Sequence, residues 1–460
     1  MKNCSVILAA GQGTRMKTSK PKAMTRVLFK PMLDWVIGAA QNANIKDICV
    51  VTGHAAEEIE NHLPDDIMTV RQKERKGTGH AVMQAVDFIK AHSGGNVLIL
   101  NGDAPFMDSD TIAMALGYHC ENNASATVIS AHVDNPYGYG RIVRDRSGAI
   151  KSIVEQASAD EKTQLINEVN SGAYWFNADI LLDTLNKITP DNSKGEYYLT
   201  DAIDIILKSG KKACAFAAEN PNAVLGANTR VQLNQLNEIA RKSILEKLML
   251  DGVDIPCSDG IIIGPDVEID RDTEILPNTI IRGNVKIGSD CVIGPNSFVE
   301  NAVIGSGVTF NNSQIRDAEI KDCATIGPFV QIRPNSSIGE GAHLGNFVEV
   351  KNSAVGSNTH VSHLTYVGDS DVGSGVNFGC GVVTVNFNGK DKNRCTIKDG
   401  AFIGCNTNLV APVTVGEYAY TAAGSTITDD VPDKSLGIGR AKQVNKDGWV
   451  AKKQPYRKKV

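Results

Sequence analysis

An aliphatic residue recurs at every sixth position through much of the second half of this 460-residue chain. Ile281, Ile287, Ile293 and Val299 are six apart. Ile326, Ile332, Ile338, Leu344 and Val350 repeat the spacing, as do Ile397, Ile403, Leu409, Val415 and Ile427, with Thr421 holding the register. Glycine often follows the aliphatic residue, as in Ile287-Gly288, Ile293-Gly294, Ile338-Gly339 and Ile403-Gly404. An α-helix repeats near 3.6 residues and a strand at 2, so neither produces this pattern. A solenoid does, if each hexad forms one short side and turns its aliphatic residue inward. The register breaks at Val385–Cys395, VNFNGKDKNRC, which reads as a loop leaving the coil. Such interruptions of a regular scaffold are where function gathers.

The first half follows a different rule. Strand-like runs at Cys4–Ala9, Ile48–Thr52, Val97–Asn101, Ala126–Ser130 and Ala173–Asn177 alternate with helical stretches such as Met32–Asn42 and Ala81–His92. That alternation predicts a mostly parallel sheet flanked by helices. Immediately after the first strand, the run LAAGQGTRM (Leu8–Met16) reads as a phosphate cradle. Gly11 and Gly13 let the backbone turn tightly and bring its N–H groups to an anion, and Thr14 and Arg15 add side-chain donors. Ligands of such sheets sit at the carboxyl ends of the strands, where this run falls. Between the halves, Val231, Leu233, Leu236, Ile239, Ile244, Leu245 and Leu248 are the apolar positions of one helix, Arg230–Asp251, stopped by Gly252. The predicted organisation is an α/β domain over 1–229, a linker helix over 230–251, and a solenoid with a C-terminal tail over 252–460.

A formal net charge of −5 argues against nucleic acid as a partner. It leaves room for small phosphorylated ligands, which need only a local cluster of donors. Apolar runs such as Val6–Ala10 and Val97–Leu100 are too short to span a membrane, and no basic-then-apolar export pattern is visible at the N-terminus, so no export is expected. The ten cysteines are scattered with no C-x-x-C pair, which predicts reduced thiols in a cytoplasmic protein. The terminal KKQPYRKKV reads as a solvated tail.

In the first half the ordered motifs are LAAGQGTRM, PKAM, GTGHA (Gly77–Ala81), NGDAPF (Asn101–Phe106), YGYGRIVR (Tyr137–Arg144), IVEQ, NSG (Asn170–Gly172), GEYYLTD and GAN (Gly226–Asn228). The second half carries RPNSSIGEGAHLGNFVEVK, HLTYVGD, NFNG, LVAPVTVG and GIGR. From about Val6 to Trp449 the chain closely resembles the bacterial bifunctional N-acetylglucosamine-1-phosphate uridyltransferases/glucosamine-1-phosphate N-acetyltransferases. The resemblance implies a Rossmann-like nucleotidyltransferase domain followed by a left-handed parallel β-helix of hexapeptide repeats that assembles as a homotrimer. It also implies the substrates: glucosamine 1-phosphate, acetyl-coenzyme A (acetyl-CoA) and UTP, with Mg²⁺ as cofactor. The product, UDP-N-acetylglucosamine, feeds cell-wall polysaccharide synthesis.

For uridyl transfer the resemblance implies Arg15 and Lys22 on the triphosphate, and Asp103 and Asn228 as oxygen ligands of Mg²⁺, a donor type this hard ion prefers. Leu8, Ala9, Ala10, Gly11, Gln72, Gly77, Thr78, Asn101 and Gly102 would surround the uridine and ribose, and Gly140, Glu155 and Asn170 the amino sugar. Outside the motif, Lys22 and Arg15 would read as solvated cations and Asp103 as a turn residue. For acetyl transfer it implies His363 as the base, since imidazole titrates near neutral pH. Arg333 and Lys351 would hold the sugar phosphate, lying one solenoid turn apart if a turn is three hexads. Tyr366 and Asn377 would touch the sugar, and Asn386 would orient the amine or the thioester. Cys380, Phe387, Cys405, Ala423 and Arg440 would line the coenzyme slot.

The chain departs from the family pattern at several of these places. Lys20 precedes Pro21-Lys22 where leucine is usual, and Arg75-Lys76 precede GTGHA. Cys380 and Val382 stand in Gly379-Cys380-Gly381-Val382 where the pattern is G-A-G-T. Phe387 replaces the tyrosine of N-Y-D-G, and Cys405 replaces a serine. Two rival enzymatic readings compete, and a third, a non-enzymatic scaffold, would leave both constellations unexplained. One makes the solenoid only an assembly module for a sugar-1-phosphate nucleotidyltransferase. The other is a zinc hydratase built on His343, His360 and His363, which requires three nitrogens to meet at one point.

Overall fold

The computed structural model describes residues 2–190 and 195–453. The part of the basic tail beyond Lys453 lies outside the described residues. The chain divides into two compact units, Met1–Ala240 and Arg241–Val460, and the division falls within a single helix, Arg230–Leu250.

The first unit is built on a nine-stranded sheet. Its strands are β1 (Cys4–Leu8), β2 (Asp47–Thr52), β3 (Met68–Arg71), β4 (Asn96–Asn101), β5 (Ala126–His132), β6 (Arg141–Arg144), β7 (Ile150–Val154), β8 (Glu168–Asn177) and β9 (Ala213–Ala217). The order across the sheet is β9-β5-β8-β4-β1-β2-β3, with the β6–β7 hairpin joined to β8. Strands β4, β1, β2 and β3 are parallel, and β8 runs antiparallel to both β4 and β5. β1, β2 and β4 read as nearly unbroken apolar runs because both faces of the sheet are covered. Val6, Val51, Val97 and Ile99 pack into one core, and Ile7, Val50, Leu98 and Leu100 into the other.

Two local expectations are corrected. The helix predicted over Ala81–His92 is two, Thr78–Gln84 and Val86–Ala91. At Ala85 the amide donates to Val82 O at 2.9 Å, a tight i→i−3 turn that resets the helix while Val82, Ala85 and Ile89 all stay buried. The strand predicted from Ala173 begins at Glu168, because a bulge between Asn170 and Ala173 hides its continuity.

The second unit is a parallel β-helix. Ile332 pairs with Val350, Ile338 with Val355 and Leu344 with Val361, so successive hexads lie on successive sides and a coil closes after about three of them. Every aliphatic residue of the predicted series is at most 5% exposed, and they form one continuous core running from Leu245 to Val431. At the predicted break the chain leaves the coil. Ser370 is paired with Cys395, and Phe387 and Lys392 make a small antiparallel bridge on the extruded loop.

Candidate active sites

The carboxyl ends of parallel strands collect at one edge of a sheet. There β1 delivers Leu8–Gly11, β3 is followed by Gln72, and β4 ends in Asn101-Gly102-Asp103. The Gly102 amide donates to Leu8 O at 2.9 Å and the Gln72 amide to Thr52 O at 2.7 Å, which draws these ends together. A cavity of about 330 Å³ is lined by Leu8, Ala9, Ala10, Gly11, Lys22, Gln72, Arg75, Gly77, Thr78, Asn101 and Asp103. A larger one of about 1060 Å³ adjoins it through Leu8, Thr78, Asn101 and Tyr198, and is lined also by Glu155 and Asn170. Gly140 lies behind Glu155 and Asn170: a Cβ there would sit 3.5 Å from Glu155 Oε1 and 3.6 Å from the Asn170 Cβ. Of the first-half candidates, Arg15, Gly102, Gly140 and Asn228 line neither cavity; Asn228 joins the smaller one through Lys22, and Arg15 through Asn228.

Lys22 is the hub. Its Nζ donates to Asn228 Oδ1 at 2.7 Å and is ion-paired with the Asp103 carboxylate, and Arg15 Nη2 donates to the same Asn228 oxygen at 3.0 Å. Two oxygen donors, one anionic, therefore converge on a point occupied by a cation, so the donor set suits a hard divalent ion.

Two contacts brace the turn that precedes the helix Thr78–Gln84, a role the sequence did not indicate for either residue. Gln72 is only 4% exposed and donates through Nε2 to Gly77 O at 3.1 Å, bracing the turn before the helix Thr78–Gln84. Tyr197 in GEYYLTD clamps that turn, its amide donating to Lys76 O at 2.7 Å and its carbonyl accepting from Gly79 N at 2.8 Å. Arg75, one of the departures, reaches over the cradle to Gln12 Oε1 at 2.7 Å.

On the β-helix, Arg333 and Lys351 do lie on successive coils, with Arg333 N donating to Val350 O at 2.8 Å. Arg333 is held by Glu349 at 2.8 Å, and Lys351 stands 4.0 Å from Asp369. Asp369 was not anticipated. It is buried at the mouth of the extruded loop and accepts from Asn352 at 2.5 Å and from Asn386. Burial raises its pKa, but these two hydrogen bonds and the Lys351 charge outweigh it and hold the carboxyl below its ordinary value. Asn386 also donates to the Tyr366 hydroxyl at 3.3 Å. Lys392, on the same loop, lies within hydrogen-bonding reach of Lys351, and that contact together with the like charge pulls its pKa down. The loop thus folds back on the coil and brings Asn386 and Lys392 to the carboxylate that Asn352 and Lys351 already face, with Tyr366 hydrogen-bonded to Asn386. The signal was present in HLTYVGD, whose last residue is Asp369, but its partners come from the preceding coil and from the extruded loop.

His363 is exposed at the end of the strand His360–His363 and pairs with Asn346 one coil earlier, whereas His360 pairs with His343. The three histidines therefore do not share one column, and among the described residues no three His, Cys, Asp or Glu side chains gather as a metal site requires. Cys380, Cys405 and Ala423 stack on successive coils: Asn406 N donates to Cys380 O at 2.7 Å and Gly424 N to Cys405 O at 2.8 Å. Arg440 Cδ approaches within 3.9 Å of where a Cβ on Gly424 would be. Phe387 is exposed on the loop, and Asn377 opens the strand that leads to Cys380.

Among the described residues no helix is long and apolar enough to cross a membrane. The nucleotidyl transferase family model matches residues 4–221, and the bacterial transferase hexapeptide model (six repeats) matches residues 260–301 and 317–352. The bifunctional protein GlmU of Clostridium botulinum (strain 657 / Type Ba4) is 47% identical over 454 residues, covering 98% of this chain and 99% of that protein. GlmU of Clostridioides difficile (strain 630) is 44% identical over 449 residues, covering 98% and 97%. GlmU of Caldanaerobacter subterraneus subsp. tengcongensis is 47% identical over 446 residues, covering 97% of each. Matches that span both units set aside the reading of the β-helix as only an assembly module. The chain belongs to the GlmU family, bifunctional enzymes that acetylate glucosamine 1-phosphate and then couple the product to UTP to make UDP-N-acetylglucosamine.

Proposed function

We propose that uridyl transfer takes place in the cleft at the carboxyl edge of the first unit's sheet, and acetyl transfer on the β-helix beside the extruded loop. The observation that carries the first assignment is the convergence of the Asp103 carboxylate and the Asn228 oxygen on the Lys22 ammonium. A sugar phosphate oxygen attacks the α-phosphorus of UTP and pyrophosphate leaves, so two anions must be brought together. Lys22 neutralises the α-phosphate and Arg15 the leaving phosphates, while Leu8–Gly11, Gln72, Gly77, Thr78, Asn101 and Gly102 seat the uridine and ribose. Gly140, Glu155 and Asn170 hold the amino sugar in the adjoining cavity. Asp103 and Asn228 are the residues that would hold Mg²⁺, which when bound supplies further neutralisation of the phosphate oxygens.

In the acetyl site, Arg333 and Lys351 hold the phosphate of glucosamine 1-phosphate, and Tyr366 and Asn377 contact its ring. His363 takes a proton from the amine as nitrogen attacks the thioester carbonyl, and returns it to the departing coenzyme thiolate. Asn386, fixed by Asp369, orients the reacting groups. Cys380, Phe387, Cys405, Ala423 and Arg440 form the coenzyme slot.

The working assembly is a homotrimer through the β-helix. Supporting it, Phe329, Phe347 and Leu364 form an exposed apolar column, with the two rings stacked at 5.3 Å, directly beside His363. Large apolar side chains aligned on a surface mark a contact. The scattered free thiols suit the cytoplasm.

The test is a paired assay of wild type, His363→Ala and Asp103→Asn, following acetyl transfer from acetyl-CoA and pyrophosphate release from UTP separately. Each variant is expected to lose only its own half-reaction. Loss of both in either variant would overturn the assignment of two independent sites.

A further inference from the structure

Cys380 and Cys405 occupy equivalent places on successive coils. Asn377 pairs with Phe402 and Phe378 with Ile403 in parallel register. The register continues past the strands, with Gly379 N donating to Ile403 O at 2.7 Å and Asn406 N to Cys380 O at 2.7 Å. The two cysteines therefore stand side by side at about the 4.8 Å spacing of neighbouring strands, within the roughly 4.4–6.8 Å that a disulfide spans between Cα atoms. The Cys405 thiol also leans toward the coil that carries Cys380: a Cβ on Gly379 would lie 2.9 Å from its sulfur. Cys405 is exposed and Cys380 partly so. Packing does not call for sulfur here, since Ala423 fills the next place in the same column with a methyl group.

We propose that Cys380 and Cys405 are an oxidisable pair, closed to a disulfide by low-molecular-weight disulfides, and that the bridge shuts acetyl transfer. In the first step the Cys405 thiolate attacks one sulfur of the small disulfide, forming a mixed disulfide and releasing one thiol. In the second the Cys380 thiolate attacks the Cys405 sulfur, which expels the second thiol. The protein loses two electrons and two thiol hydrogens, and both end on the released thiols. The consequence for activity rests on the proposed coenzyme slot, whose wall these residues form.

The bridge is built to be reversible. In-register Cβ atoms on parallel strands sit about 4.8 Å apart and a disulfide draws them to about 3.8 Å, so closing it pulls two coils together. Strained, exposed disulfides are the readily reduced ones. Uridyl transfer, in the other unit, is untouched.

The test uses the full-length protein incubated with oxidised glutathione, then alkylated, digested and mapped by mass spectrometry, with both half-reactions assayed before and after dithiothreitol. The expected result is a linked Cys380–Cys405 peptide, loss of most acetyl transfer, recovery on reduction, and unchanged pyrophosphate release. Cys380→Ala and Cys405→Ala, each compared with its own reduced activity, should show no acetyl-transfer loss that dithiothreitol reverses. Absence of the linked peptide, or equal reversible inactivation of the two variants, overturns the proposal. A linked peptide in a protein whose acetyl transfer is undiminished upholds the thiol pair and overturns the slot assignment.

Discussion

The Lys22 ammonium donates to Asn228 Oδ1 at 2.7 Å across 206 positions of sequence, and the Asp103 carboxylate closes the same contact. A lysine from the cradle, an aspartate from the end of β4 and an asparagine before the connecting helix thus meet at one point. Asn228→Ala should lower pyrophosphate release by about 10²-fold or more, the scale on which a lost electrostatic partner at a reacting phosphate is felt. A metal chelator should abolish that half-reaction in the wild type, with restoration by Mg²⁺, and leave acetyl transfer in place. Steady-state assays of both halves on one preparation check it.

Gly77 has φ +99°, and a Cβ there would sit 2.5 Å from Tyr197 O. Gly77→Ala must therefore move the turn that Gln72 and Tyr197 brace. The expected result is a raised KM for UTP and a loss of stability of about 1–3 kcal/mol, read by kinetics and by urea unfolding.

Asp369 is a positioning residue, since it acts through Asn386 and Lys351. Asp369→Asn keeps the shape but removes the charge that Asn386 and Asn352 donate to. Acetyl transfer should fall about tenfold or more through kcat and the KM for glucosamine 1-phosphate together, as removing the acceptor of a buried charged hydrogen bond costs about 1.5–3 kcal/mol. Unchanged pyrophosphate release would show that the fold survives.

His119 is buried against Thr127 Oγ1 at 2.9 Å, and burial pushes its pKa down to about 4. Its folded-state value thus lies below its unfolded one, so between about pH 6.5 and 4 only the unfolded chain takes up the proton. Stability is full above that window and is lost as pH falls through it, by roughly 2 kcal/mol at pH 5. Urea unfolding at pH 7 and pH 5 should show this difference in the wild type and a smaller one in His119→Gln.

If neighbouring copies complete the acetyl site, mixing His363→Ala chains with Asn386→Ala chains under conditions that exchange subunits should restore part of the acetyl transfer. A site built within one chain would show no recovery on mixing.

The β-helix was legible because its constraint is local and repeated. A narrow solenoid must turn one aliphatic side chain inward on every side, so Ile332, Ile338 and Leu344 announce their burial by spacing alone. The parallel sheet was legible from its apolar central strands, while β3, β6, β7 and β9, which mix in polar or small residues and lie at or near the sheet's margins, were not anticipated.

What the amino-acid order determined by itself was therefore the two architectures and the identity of the motifs, since hydrophobic period and turn chemistry act over a few residues at a time. Only the tertiary structure decided who meets whom. Strand order brings Asn228 to Asp103, and the extruded loop returns Asn386 and Lys392 to Asp369, because the contacts of a polar side chain are set by distant backbone that carries no periodic signature in the sequence. The same holds for Cys380 and Cys405, separated in sequence by that loop and made neighbours by the coil.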